Sequence, residues 1–306
     1  MSDRVDAAAG ARWAKRLPGA PLSEWVAVIW YSADDRGGRT RERLLPRGTL
    51  ELVIELGPEH TSIIGPDRRI DVDPVSVVGA SPASVVLDRP NQFETIGVTF
   101  RPAGAIALLG VPADELDGAP LPLGLLWGAA AAELRERATA AGGPDEKLAA
   151  VERVLAEQLL HVERARHYRP AIAAMARIAA APERCSITDL SSSVGISRRR
   201  LEETFRVTVG LTPKRFQRLW RFRRALERID HRSDSGWAAF ALEAGYLATT
   251  TSRISATSSV TTPVSAPRAI LAARTPTLNH VRIDAVRPEH RTEGVHHDDQ
   301  AHPSLR

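Results

Sequence analysis

The sequence has one cysteine, one histidine before residue 160 and no long apolar run. Cys185 stands alone among 306 residues, which excludes an internal disulfide and a cysteine-rich zinc site. No run of about 18 apolar residues occurs, so no membrane-spanning helix is expected. The first residues also lack the apolar core of a secretory signal peptide. Together these absences favour a cytoplasmic protein that does not enter a membrane.

Positive charge, in contrast, is concentrated in one segment. The net charge is only +4, but residues 182–230 hold 12 Lys/Arg against 6 Asp/Glu. Residues 1–181 hold 21 against 24, so the long segment before it carries no such surplus. A clustered basic surface attracts polyanions more strongly than dispersed charge does. The alternative is a solvated helix face without a partner.

Residues 20–110 carry the pattern of β-strands. Short segments rich in β-branched and aromatic residues, such as WVAVIWY at 25–31, alternate with turns rich in Gly, Pro and Asp. Strands at this spacing favour an antiparallel barrel or sandwich. From about Ala103 the apolar period becomes helical, and residues 142–144 (Gly-Gly-Pro) separate two helices. We therefore expect a β-rich, barrel-like domain with helices over residues 1–168.

The sequence predicts an all-α domain over residues 169–246. Within it, ITDLSSSVG (187–195) places apolar residues on one helical face and ends in glycine. Ser197 can cap the next helix by accepting a hydrogen bond from a free amide of its first turn. Leu201 and Phe205, four residues apart, form the buried stripe of that helix. A helix, a short turn and a second helix with a polar outer face predict a helix-turn-helix.

A further helix begins at Pro213, a residue that suits the first turn of a helix. Arg221, Arg223 and Arg224 near its end either contact the same partner as the helix-turn-helix or pair with acids of the β-rich domain. Basic residues recur along this helix at mostly three-residue steps: Lys214, Arg215, Arg218, Arg221 and Arg224.

A family resemblance spans residues 185–246. Gly-Ile-Ser at the turn, Ser-x-x-x-Leu-x-x-x-Phe, Gly-x-Thr-Pro and the arginine-rich helix ending in Ala-Leu are similar to the first helix-turn-helix of AraC-family transcription regulators. WAAFALEAGY (237–246) resembles the opening of that family's second helix-turn-helix. LLPRGTLELVIELG and FRPAGAIALLGVPADELDG resemble, more weakly, the β-rich N-terminal domain of one branch of the family.

The resemblance implies a sequence-specific DNA-binding transcription regulator, either an activator or a repressor, and not an enzyme. It implies double-stranded DNA as the partner of the helical domain. The β-rich domain would sense a small-molecule effector or form a homodimer, and an activator would also contact RNA polymerase. No cofactor and no metal are expected.

The resemblance also implies roles for individual residues. Arg199, Glu202 and Glu203 fall where family members reach base edges in the major groove. Arginine can pair with guanine O6 and N7 and glutamate can accept from cytosine N4, whereas DNA phosphate repels glutamate. Glu202 and Glu203 therefore either read bases or point away. Ser197 caps the recognition helix, and Arg200 completes the arginine run. Residues placed for phosphate contacts, which fix position without reading sequence, are Arg198, Arg206, Lys214, Arg215 and Arg218.

The resemblance stops after Tyr246. Residues 247–267 contain 6 Thr and 5 Ser and no regularly spaced large apolar residue, a composition that favours disorder. We expect a disordered tail over residues 247–306, in an α+β multidomain protein whose second recognition helix is missing. Synonymous codons for residues 250–260 can be chosen so that the adjacent frame encodes the family's continuation, which suggests a frameshift near residues 246–249. The alternative is an unrelated flexible tail.

Loss of the second unit predicts weaker and less specific DNA binding. Two further function classes are open at this point. A metal-dependent enzyme on a cupin-like barrel needs clustered histidine and carboxylate ligands, although His60 is the only histidine before residue 160. A DNA-binding-defective protein that binds an effector or dimerises would keep the family's first domain without its activity.

Overall fold

Two antiparallel β-sheets are followed along the chain by a series of helices. The computed structural model describes residues 11–34, 40–64, 69–81, 83–90, 92–116, 120–230 and 280–282. The six-stranded sheet has the order β1 (Ala11–Arg16), β2 (Val26–Asp34), β9 (Phe93–Phe100), β4 (Glu51–Glu55), β7 (Val75–Val78) and β10 (Leu121–Pro122). The five-stranded sheet has the order β11 (His280–Arg282), β3 (Thr40–Leu44), β8 (Val85–Arg89), β5 (Ser62–Ile64) and β6 (Arg69–Asp71).

The helices of the described residues lie mostly after the sheets. Two short 3-10 helices, Leu22–Glu24 and Ala113–Leu116, accompany the strands. None of the described helices combines the length and apolarity needed to span a bilayer. The α-helices are α1 (Gly104–Leu109), α2 (Gly124–Trp127), α3 (Ala129–Ala140), α4 (Pro144–Glu157), α5 (Val162–Arg166), α6 (Arg169–Ala180), α7 (Ile187–Ser193), α8 (Arg198–Val209) and α9 (Pro213–Asp230).

Alternate apolar residues of the six-stranded sheet form the main core. Leu52 and Ile54 of β4 lie opposite Val98 and Ile96 of β9, and all four side chains are fully buried. Leu134 of α3 belongs to the same buried cluster. The helices α3 and α4 therefore cover one face of this sheet and remove its apolar residues from water, which is the main source of stability.

The other face of β4 carries two buried glutamates, Glu51 and Glu55. Successive side chains of a strand point to opposite faces, so Glu51 lies on the opposite face from Leu52. Glu51 forms an ion pair with Arg47. In the second sheet Glu42 pairs with Arg89, whose Nε lies 3.0 Å from the carboxylate Oε2. Removing one partner of a buried ion pair is strongly destabilising, so these pairs tie neighbouring segments together.

The predicted α+β class is confirmed, with a β-rich part that precedes most of the helices. α3 ends at Ala140 and α4 begins at Pro144, so these helices separate at the predicted break. The division of the chain at residues 168 and 246 stays a prediction.

One stretch of the predicted disordered tail forms a strand. β11 pairs antiparallel with β3, from His280 opposite Leu44 to Arg282 opposite Glu42. Without β11, β3 would be the edge of its sheet, and an edge strand presents unpaired N–H and C=O groups that another segment can bind. The prediction of disorder is therefore wrong for residues 280–282. The rest of residues 247–306 lies outside the described residues.

Candidate nucleic-acid interface

Helices α7 and α8 each begin at a serine cap and are joined by a tight turn that contains Gly195. The Ser186 hydroxyl accepts a hydrogen bond from the Asp189 N–H at 3.4 Å and caps α7. Gly195 has a φ of +69°, a conformation that few residues other than glycine adopt. The Ser197 hydroxyl then accepts from the Arg200 N–H at 3.2 Å and caps α8, as the sequence predicts. The turn therefore fixes the angle at which α8 leaves α7.

The inner face of α8 is anchored in a second buried cluster. Leu201 and Phe205 are fully buried, and Leu190 of α7 and Phe216 of α9 belong to the same cluster. The rings of Phe205 and Phe216 pack edge to face, with centroids 5.6 Å apart, an arrangement that aromatic pairs prefer. The predicted buried stripe of α8 is thus observed, and it directs the opposite side of the helix outward.

The outer face of α8 carries charged side chains in contact with solvent. Arg198 Nε lies 3.4 Å from Glu202 Oε1, and Arg200 Nη1 lies 3.0 Å from Glu203 Oε2. Exposed pairs of this kind contribute little stability. Arg199 makes no ion pair within the described part of the chain. The three arginines and two glutamates leave one net positive charge, and Arg199 is the arginine that neither glutamate pairs with.

The two alternatives for Glu202 and Glu203, reading bases or pointing away, stay predictions. Glu202 and Glu203 are exposed, and each pairs with an arginine on its own helix. They share the outer face with the arginines and do not point into the protein. A partner that bound Arg198 or Arg200 would compete with these glutamates for the guanidinium.

Arg206, in the last turn of α8, contacts the β-rich part of the chain. Its Nη2 lies 3.1 Å from Oδ2 of Asp114, and 59% of the Arg206 side chain stays exposed. Asp114 belongs to the 3-10 helix Ala113–Leu116. The sequence predicts Arg206 as a phosphate contact and does not indicate this acidic partner, because the two residues lie 92 positions apart.

The remaining basic residues of the predicted interface lie on α9. Lys214, Arg215 and Arg218 are exposed, while Phe216 and Leu219 of the same helix are buried against α8. The predicted interface residues therefore lie on two helices that pack against each other. Those from Arg198 to Arg206 belong to α8, and the remaining three basic residues belong to α9.

The arginines near the end of α9 have a structural role that the sequence does not indicate. Arg221 Nε donates to the Pro182 carbonyl at 3.0 Å. Arg224 donates through Nη2 to the carbonyls of Ala179, at 3.3 Å, and Ala180. Cations bind free carbonyls at helix C-termini favourably, and these carbonyls end α6. Arg224 Nη1 also lies 3.5 Å from Glu183 Oε2, a carboxylate of the helical part. Of the two alternatives for these arginines, pairing with acids of the β-rich domain is therefore not observed for Arg221 and Arg224, and contact with DNA stays a prediction.

Gln217 fixes α9 to the same loop. Its side-chain amide donates to the carbonyls of Pro182 and Cys185, at 2.8 Å and 2.6 Å. Sequence reasoning misses this residue, although an uncharged polar residue on the inner side of a basic helix is a usable signal. In the described residues no three His, Cys, Asp or Glu side chains gather as a metal site.

One sequence family matches the β-rich part of the chain. Residues 14–122 match a domain of unknown function, DUF6597, which covers less than half of the chain. No curated protein matches the sequence. The match therefore describes the β-rich part alone.

Several solved structures resemble the fold. ToxT from Vibrio cholerae, bound to an unsaturated fatty acid, is 8% identical over 82% of this chain and 95% of that chain, with a TM-score of 0.37. The AraC-like transcriptional activator CuxR is 13% identical over 71% of this chain and 80% of that chain, with a TM-score of 0.30. The 7S globulin of Momordica charantia is 10% identical over 67% of this chain and 45% of that chain, with a TM-score of 0.23. These scores are too low to carry an argument about function.

Proposed function

We propose that the chain is a sequence-specific DNA-binding transcription regulator of the AraC type, with α8 as its recognition helix. The observation that supports this most directly is the outer face of α8. A capped helix, anchored by Leu201 and Phe205, presents three arginines and two glutamates to solvent. The major groove of B-DNA admits an α-helix, and a helix-turn-helix places its second helix there.

The ion pairs on α8 suggest which of its residues contact bases and which contact phosphates. Arg199 is free to pair with guanine O6 and N7, and so to read a base. Phosphates would draw Arg198 away from Glu202, which would leave the glutamate beside the groove to accept from cytosine N4. Arg200 and Glu203 form the second such pair. Phosphate contacts that fix position would come from Arg206, Lys214, Arg215 and Arg218.

Selection from a random duplex library with the full chain tests this proposal. We expect enrichment of one short motif, and a bound duplex whose log affinity falls linearly with log salt. Enrichment without a shared motif would leave general polyanion binding only. Absence of any binding at low salt would reject the proposal and favour a DNA-binding-defective protein that binds an effector or dimerises.

Impairment of this activity is a separate part of the proposal. The second unit predicted from residue 237 onward lies outside the described residues, and so does the suspected frameshift at residues 246–249. A regulator with two units would place both in successive major grooves, so one unit should bind more weakly and with a smaller salt dependence. Re-reading the coding DNA across residues 240–268 decides between a frameshift and a genuine tail. The effector, homodimer and RNA polymerase contacts remain predictions.

A further inference from the structure

Residues of the β-rich part complete the core beneath α8 and α9. Ala80, which follows β7, is 3% exposed and belongs to the same buried cluster as Phe205, Phe216 and Leu219. Gly48, which precedes β4, lies so close to α9 that an added methyl group would force the end of a side chain there to shift. A Cβ at this position would lie 2.9 Å from Leu219 Cδ2 and 3.5 Å from Phe216 Cδ2. The inner face of α9 therefore packs directly against Gly48, and Ala80 belongs to the same core.

The C-terminal end of α8 rests on the β-rich part at two further points. The Ala103 N–H donates to the Thr208 carbonyl at 3.0 Å, which satisfies one of the free carbonyls at the end of α8. Gly210, with a φ of +83°, ends the helix, and a Cβ there would lie 3.0 Å from the Ala113 carbonyl oxygen. The end of α8 is thus held by one backbone hydrogen bond and by a glycine that packs closely against the backbone of Ala113.

We propose that four residues of the β-rich part, here called the seat, position the recognition helix: Gly48, Ala80, Ala103 and Ala113. This inference rests on the proposed function. A helix-turn-helix on a free linker would not need the β-rich domain, whereas here part of its core comes from that domain. Packed interiors do not deform continuously, and a displacement of the seat must therefore move α8 and α9 with it.

The seat is tied to the buried polar face of the β-rich domain. Arg47, next to Gly48, pairs with Glu51, and its backbone N–H donates to the Ser81 carbonyl, next to Ala80, at 2.9 Å. Arg47 is 5% exposed, and its Nε has no hydrogen-bond partner among the described residues. A change at this ion pair would therefore reach Phe216 and Leu219 through one residue of backbone. Gly48 is the positioning residue that the proposal identifies.

The test uses the full chain and four variants. Gly48→Ala adds one methyl group against Leu219, and Gly143→Ala is the matched control, because a Cβ at Gly143 meets nothing within 4 Å. Leu219→Ala removes the atom that Gly48→Ala would strike, and the double variant Gly48→Ala/Leu219→Ala closes a double-mutant cycle, which isolates the coupling between two contacting residues. Two quantities are measured: affinity for the selected duplex, and hydrogen exchange of the amides of residues 201–209.

We expect Gly48→Ala to weaken binding of the selected duplex by about tenfold, a change of about 1.4 kcal/mol, while Gly143→Ala leaves it unchanged. Binding of random duplex should fall less, since phosphate contacts tolerate a small rotation of α8 better than base contacts do. In the double variant, the loss should be smaller than the product of the two single losses. Amides of α8 should exchange faster in Gly48→Ala than in the control.

The proposed role of the seat is rejected if Gly48→Ala and Gly143→Ala have equal affinities for the selected duplex and equal amide exchange. It is also rejected if the effects of Gly48→Ala and Leu219→Ala are additive in the double variant. If the unaltered chain selects no duplex, the proposed function fails on its own. Hydrogen exchange alone then tests whether the seat positions α8: faster exchange in Gly48→Ala than in Gly143→Ala supports that role, and equal exchange rejects it.

Discussion

Arg206 Nη2 lies 3.1 Å from Asp114 Oδ2, and this ion pair joins the last turn of α8 to the β-rich part of the chain. The arginine of this pair is exposed and the aspartate half-buried, so the contribution of the pair to stability is modest. The ion pair matters because Asp114 and a DNA phosphate would compete for the same guanidinium. Arg206 is placed for a DNA phosphate in the proposed function, and it cannot bind that phosphate fully while Asp114 holds its guanidinium.

Replacing the carboxylate of Asp114 should therefore strengthen DNA binding. In Asp114→Asn, Arg206 is released for one more phosphate contact, which makes the slope of log affinity against log salt steeper by about 0.9. Glu115→Gln is the matched control, since Glu115 is exposed in the same 3-10 helix and the change removes an equal charge. Titrations at several salt concentrations check this prediction, and equal slopes for the two variants would contradict it.

Arg199 should decide sequence preference and not general affinity. Arg199→Ala removes the one arginine of the run that has no ion pair in the described chain, and loss of a bidentate base contact costs about 1–3 kcal/mol for the selected duplex. Binding of random duplex should change much less. Arg153→Ala, an exposed arginine of α4 far along the chain from α8, serves as the control. A uniform loss on both duplexes would assign Arg199 to phosphate.

Local patterns in the sequence predict the elements of this fold, whereas contacts between distant segments escape them. The buried stripe of Leu201 and Phe205 and the Ser197 cap depend on residues within one helical turn, so spacing and residue type suffice. The contact between Gly48 and Leu219 joins two segments far apart in the chain. The local sequence does not indicate this contact, because glycine occurs before strands for many other structural reasons.

The charged residues divide in the same way. Exposure of the α8 arginines follows from the buried stripe opposite them. The partners of Arg206 and Arg224 depend on where Asp114 and the end of α6 come to lie, and tertiary packing alone decides that. β11 is a further case, since a three-residue strand forms where the edge of β3 offers backbone partners.

Glu152 should make the stability of the β-rich domain depend on pH. Burial raises the pKa of this carboxyl. The Gly19 N–H, which donates a hydrogen bond at 2.8 Å, and the Arg16 guanidinium together lower the pKa by more than burial raises it, so it lies below its ordinary value. A lowered folded-state pKa gives stability that is present above the ordinary carboxyl value and is lost as the pH falls through the lowered pKa.

Glu152→Gln should accordingly cost on the order of 1 kcal/mol at pH 7 and nearly nothing at the acidic end of the range where the fold persists. Denaturant unfolding of both proteins at a series of pH values measures the difference. Glu136→Gln, an exposed position on α3, should show no such convergence. A deficit that stayed constant with pH would mean that the Glu152 carboxylate does not stabilise the fold through its charge.

Ser197 separates the capping of α8 from its contact with DNA. Ser197→Ala removes the acceptor for the Arg200 N–H and should lower the free energy of unfolding by about 1 kcal/mol. Ser197→Asp keeps a side chain that caps the helix well, and its negative charge interacts favourably with the positive end of the helix dipole, so stability should be retained. The aspartate nevertheless places a negative charge at the helix end proposed to enter the groove, and DNA affinity should fall below that of Ser197→Ala. Unfolding and duplex titration on the same preparations check both halves, and an aspartate variant that binds DNA as well as the unaltered chain would show that this end of α8 does not approach the phosphates.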